Sequence, residues 1–151
     1  MVLMLSSCGF HLRGMVDLPP WLNDIAIVSQ GGNQDLDPML RDRLQAYNIR
    51  VVSGPSLANY WLIIQNETFQ QQITSVSSST TPRQYQLIYT VLFKLQQSHG
   101  REVVPLSTVT VTRQITINSD RILGSDEEEA ITKNEMRRDA ILQIINRLSR
   151  Q

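Results

Sequence analysis

The chain has 151 residues, with 14 Lys and Arg against 14 Asp and Glu, one cysteine and two histidines. This length suits one domain, which buries about 68–70% of its unfolded surface and needs no metal or disulfide staple. A net charge of zero lacks the basic excess of a nucleic-acid binder, a lone cysteine cannot close an internal bridge, and no run approaches the roughly 18 apolar residues of a membrane-spanning helix.

The first stretch reads Leu5-Ser6-Ser7-Cys8-Gly9-Phe10-His11-Leu12-Arg13-Gly14 behind a short apolar run. An aliphatic residue, two small residues and a cysteine have the form of a bacterial lipobox. Small residues let a peptidase approach the backbone, and the Cys8 thiol is the nucleophile that takes a diacylglycerol group. A lone cysteine is otherwise a small buried hydrophobe or an inert thiol; its position directly behind the apolar run favours the anchor. Seven residues precede Cys8, none of them Lys or Arg. A complete secretory signal has a charged start and an apolar stretch of about 7–15 residues. The expected organisation is a signal remnant over 1–7 from a truncated or late start, a lipidated tether over 8–22, and a single domain over 23–151.

Gly9, Gly14, Pro19 and Pro20 break regular structure in the tether. Phe10, Leu12 and Trp21 are available to dock on the body or to sit near lipid. His11 reads as a polar tether residue, since no further metal ligands lie nearby.

Residues 25–28 form a short apolar run bounded by turn residues, a first strand. Asp35-Leu36-Asp37-Pro38 then offers an acidic cap and a first-turn proline. Leu36, Met39, Leu40, Leu44 and Tyr47 recur at helical spacing, and Asn48 suits a left-handed stop. Residues 49–52 form a second short strand. Three long strands follow, over 60 to about 76, about 83 to 95, and 103 to about 118. In the first, the apolar phase shifts between Leu62/Ile64 and Phe69/Ile73, which predicts a bulge. The second alternates from Tyr85 to Leu95 with period two. The third is rich in Val, Thr and Ile. His99-Gly100 marks a hairpin turn. Ser125 and Glu128 form a capping box for a last helix, with Ile131, Met136, Ala140, Ile141, Ile144, Ile145 and Leu148 inward. Arg137, Arg138, Arg147 and Arg150 are expected on its other face and end. The assembled expectation is an α+β fold, a two-layer sandwich with two helices on one face of a mostly antiparallel mixed sheet.

No nucleophile elbow, phosphate loop, metal-ligand cluster or framed carboxylate pair is present. A thiol catalyst from Cys8 and His11 would need a geometry that a breaker-rich tether cannot hold. The expectation is therefore no enzyme, no catalytic residues, no metal and no cofactor.

Cys8-Gly9-Phe10-His11-Leu12-Arg13-Gly14, followed by Leu18-Pro19, resembles the mature amino terminus of the LptE family of lipopolysaccharide-assembly lipoproteins. The order and length of elements agree through the final helix. The resemblance implies a protein on the periplasmic side of the outer membrane, held through acylated Cys8, which plugs the β-barrel LptD, helps it assemble, and takes part in lipopolysaccharide insertion at the outer leaflet. It implies LptD and lipopolysaccharide as partners. Gly9, rather than Asp, after the cysteine agrees with export to that membrane. Lipopolysaccharide carries phosphates, and the planar fork of arginine suits them; Arg83, Arg113 and Arg121 are the candidates, with solvated surface as the alternative for each. Ser77, Ser78, Ser79, Thr80 and Thr81, between the first two long strands, are the candidate contacts to a polar partner, or a plain hairpin tip. The same architecture also serves lipid-anchored accessory proteins of other envelope transporters.

Overall fold

The computed structural model describes residues 16–75, 83–117 and 125–151. Strand β1 (Asp24–Ser29) leads to helix α1 (Leu36–Ala46) and strand β2 (Arg50–Val52). After a 3₁₀ turn at Pro55–Leu57 come β3 (Tyr60–Ser75), β4 (Arg83–Gln97) and β5 (Glu102–Ile117), and then α2 (Ser125–Leu148). The sheet order is β2-β1-β3-β4-β5. β1 runs parallel to both neighbours, while β3, β4 and β5 are antiparallel.

The α1 stripe behaves as its spacing requires. Leu36, Leu40 and Leu44 are fully buried, one turn apart on one face. Asn48 takes φ 61° just past the helix, as a left-handed stop does. The expected cap at Asp35 is not made: Asp35 has helical angles and no capping bond, because its carboxylate turns to α2. The start of α1 is tied down by Asp37 instead, whose Oδ1 accepts from the Ser29 hydroxyl at 2.6 Å. Trp21 packs on Tyr60 with ring centroids 5.1 Å apart, closing the near end of the sheet.

The bulge falls where the apolar phase slips. The β3–β4 register shifts between Ile64 and Asn66, so inward positions change from Leu62 and Ile64 to Glu67 and Phe69. On β4, Leu87, Tyr89, Val91, Phe93 and Leu95 all face inward and are buried. Gly100, at φ 91°, makes the turn into β5.

α2 departs from expectation at two residues. Ile131 is 54% exposed: it lies five residues before Met136, about 140° around the helix. Arg137 is buried rather than outward, at 8% exposure. It sits three, four and seven residues before Ala140, Ile141 and Ile144, on the inward stripe itself. The side-chain contacts of the capping box at Ser125 lie outside the described residues.

The shift at Ile64/Asn66 places Glu67 directly beneath Arg137. Arg137 Nε donates to Glu67 Oε1 at 3.1 Å, Nη2 to Asp35 Oδ2 at 2.9 Å and Nη1 to Asn134 Oδ1 at 3.0 Å. The Tyr89 hydroxyl donates to the same Glu67 Oε1 at 2.8 Å. Phe69 stacks on Tyr89 with centroids 4.2 Å apart and lies 5.1 Å below the Arg137 guanidinium. Burial, and then the negative charge of Glu67, push the Tyr89 hydroxyl well above its ordinary 10.0, so it stays a donor.

Two outcomes follow from this cluster. Arg137→Met leaves Glu67 buried and unpaired, which costs about 3–5 kcal/mol and lowers the thermal midpoint on the order of 10 °C. Adding Glu67→Gln should recover part of that loss; a double variant no more stable than the single one contradicts the pairing. Tyr89 contributes stability that is full below its unfolded pKa of 10.0. It is lost as pH rises further, because the unfolded chain releases that proton first. In urea unfolding at about pH 9 to 11, Tyr89→Phe should flatten the alkaline fall; an unchanged slope counts against the assignment.

Candidate functional site

β3 ends at Ser75 and β4 begins at Arg83, while β5 ends at Ile117 and α2 begins at Ser125. The connections 76–82 and 118–124 therefore leave from the same end of the sheet. This far end projects beyond the core: Gln70, Gln71, Gln72, Ile73 and Thr74 are all exposed. The first turn of α2 brings Asp126, Glu127 and Glu128 to it, where acidic groups suit the helix dipole.

Of the expected phosphate-binding arginines, two lie on described strands. Arg83 opens β4 opposite Ile117, and Arg113 sits four residues back along β5, opposite Leu87. Their backbones are about 13 Å apart at strand rise. Arg113 is already engaged: it donates to Asp139 of α2 and to the Thr112 carbonyl. That ion pair is open to water, with side chains 45% and 38% exposed. Such pairs contribute about 0–1 kcal/mol, so an incoming phosphate can compete for the guanidinium. Arg121, Ser77, Ser78, Ser79, Thr80, Thr81 and Cys8 lie outside the described residues.

The two faces of the long strands differ. One is covered by α1 and α2. The other carries no helix, and its cross-strand rungs are set by the register. Asn66–Leu92–Thr108 is followed by Thr68–Thr90–Thr110. Gln70–Ile88–Thr112 and Gln72–Gln86–Gln114 complete the series. None of these residues is charged; Lys94, opposite Ile63, is the next position on this face beyond Leu92. β5 is the edge strand on this side of the sheet, as β2 is on the other. Among the described residues its outer edge has no backbone hydrogen bond to another element.

Between the helices runs an open groove of about 590 Å³, with Met39, Asp42, Arg43 and Ala46 on one wall and Arg138, Asp139, Ile141 and Leu142 on the other. Its Asp139 is the partner of Arg113. Ser98 Oγ and His99 Nδ1 are 3.1 Å apart in the exposed β4–β5 turn, but no acid orients the ring among the described residues, as nucleophilic catalysis requires. Among the described residues no group of three His, Cys, Asp or Glu could hold a metal, and no helix is long and apolar enough to cross a membrane. The arrangement offers surfaces for binding.

The alternation on β4 showed one strand of the three in the helix-free face in advance. The rungs needed the register. Glu67 and Arg137 were missed as partners; the spacing of Arg137 from Ala140, Ile141 and Ile144 was the available signal.

A family model described as LptE, lipopolysaccharide-assembly, matches residues 22–148. The LPS-assembly lipoprotein LptE of Pectobacterium atrosepticum is 27% identical over 150 residues, covering 97% of this chain and 79% of that protein. Its counterpart in Yersinia enterocolitica is 26% identical over 148 residues, covering 97% and 70%. The solution NMR structure of an uncharacterized lipoprotein B from Nitrosomonas europaea superposes with a TM-score of 0.76 at 25% identity, covering 93% of this chain and 90% of that one. A minor lipoprotein from Acinetobacter baumannii shares the fold, with a TM-score of 0.69 at 18% identity over 85% of this chain and 91% of that one. With a match that runs from residue 22, just before β1, to the end of α2, this chain belongs to the LptE family of lipopolysaccharide-assembly proteins.

Proposed function

We propose that this protein is an outer-membrane lipoprotein that occupies the lumen of the β-barrel LptD, helps that barrel assemble, and takes part in delivering lipopolysaccharide to the outer leaflet. The observation that carries this reading is the family match over residues 22–148, joined to relatives that are named LPS-assembly lipoproteins. Cys8, behind Leu5-Ser6-Ser7, is the anchor, and 8–22 is the tether that leads to the body. Each buried methylene of an acyl chain contributes about 0.8 kcal/mol, and one chain alone holds only marginally; several chains on one residue hold the protein at the periplasmic side of the membrane. The interior of a large barrel is polar, which suits strands faced with Thr and Gln. The residues 77–81 meet the barrel from the far end of the sheet. Arg83, Arg113 and Arg121 contact lipopolysaccharide phosphates, since all three belong to that end of the sheet or to its connections. The work is binding and placement, with no covalent step.

The test uses the full-length precursor with an affinity tag, expressed in a Gram-negative envelope. A palmitate probe should label it and LptD should be recovered with it. Equal labelling of a Cys8→Ser form overturns the anchor, and the absence of LptD overturns the plug. Combined Arg83→Ala, Arg113→Ala and Arg121→Ala should weaken lipopolysaccharide binding about tenfold or more, as loss of charge-assisted hydrogen bonds does. The effect should shrink at high salt. Binding equal to wild type would clear these arginines of the role.

A further inference from the structure

We propose that the helix-free face of β3, β4 and β5, together with the adjoining outer edge of β5, is the surface on which this protein meets a polar, uncharged protein wall. The proposal rests on the reading that the partner is the LptD lumen, and it assigns which side of the sandwich faces it.

Charge is the first observation. Four rungs of three residues hold no Asp, Glu, Lys or Arg. A solvated surface is about 25–35% charged, so twelve such positions would ordinarily hold three or four charges. Lys94 borders the first rung, and other charges lie on the helices: Arg41, Asp42 and Arg43 on α1, and Glu135, Arg138 and Asp139 on α2. Depletion of charge is what distinguishes the centre of a protein interface from the remaining surface.

The edge is the second observation. β5 runs for 16 residues at the margin of the sheet. Natural edges are blunted by lysines, prolines or bulges. Here Pro105 and two register shifts, between Phe93 and Leu95 and between Leu95 and Gln96, interrupt the start of the strand, and from Ser107 to Thr112 there is no charge, no further proline and no register shift. Leu106 is 51% exposed. An edge of this kind pairs with other chains unless something covers it.

The composition selects the occupant. Ten of the twelve side chains are Thr, Gln or Asn. This is too polar for acyl chains, and it lacks the cations that an anionic glycan or nucleic acid would need. Hydroxyls and amides both donate and accept, so the central rung Thr68–Thr90–Thr110 can bond to amides, hydroxyls or water on an opposing wall in either polarity. A carboxylate placed there would be desolvated without a cation.

The experiment places one charge on each side of the sandwich in the full-length tagged protein and measures the LptD recovered with it. Thr110→Glu should reduce recovery tenfold or more. Thr110→Gln, which is larger but neutral, should retain it, and so should Gln143→Glu on the exposed side of α2. Retention by Thr110→Glu, equal loss in Gln143→Glu, or loss in Thr110→Gln overturns the proposal while the barrel reading stands. Failure of the wild type itself to recover LptD overturns that reading, and this assignment with it.

Discussion

The contact between Arg137 and Glu67 holds the two layers of this protein in one relative position. Apolar packing between a helix and a sheet is strong but has little direction, because many rotations bury similar area. One guanidinium that reaches a carboxylate on β3, another before α1 and an amide on its own helix leaves a single arrangement. The pairing is between a residue 8% exposed and one 6% exposed, so neither charge could remain buried without the other. Glu67 Oε2 is still without a partner among the described residues, so part of the cost of burying that carboxylate stays uncompensated.

That cluster depends in turn on one extra residue in β3. Without the slip between Ile64 and Asn66, the inward positions would continue as Asn66 and Thr68. The slip brings Glu67 and Phe69 inward and sends Asn66, Thr68, Gln70 and Gln72 to the face that no helix covers. A single bulge therefore builds the buried ion pair and the neutral Thr and Gln surface together. The separation of character between the two sides follows: ionic and apolar groups beneath and upon the helices, hydroxyls and amides on the open side.

For a member of the LptE family this division is physically coherent. Binding to a wall and binding to a phosphorylated glycolipid make opposite demands on charge. The four rungs of the open face have none, with Lys94 beyond them toward the near end, while Arg83, Arg113 and Arg121 belong to the far end of the strands and the connection that leaves it. Arg113 is held there by Asp139 through an exposed pair weak enough to be exchanged.

Much of the architecture was legible in the chain because it is encoded at short range. Period two in β4, the 3.6-residue stripe of α1, the phase slip in β3 and the turn residues Asn48 and Gly100 each depend on a few neighbouring side chains and their backbone preferences. The family resemblance was legible in the same way, from the run after Cys8. Other features required distant residues to meet. Asp35 looked like a cap until Arg137, 102 residues away, claimed its carboxylate. Arg137 looked outward because its charge outweighed its position on the stripe, and Glu67, 70 residues earlier, cancels the cost of burying it. The parallel placement of β1 between β2 and β3, and the rungs that make one neutral face from three strands, arise only when the sheet closes. Local spacing sets what each segment can become. The pairing of charges and strands across the fold decides which side each one presents.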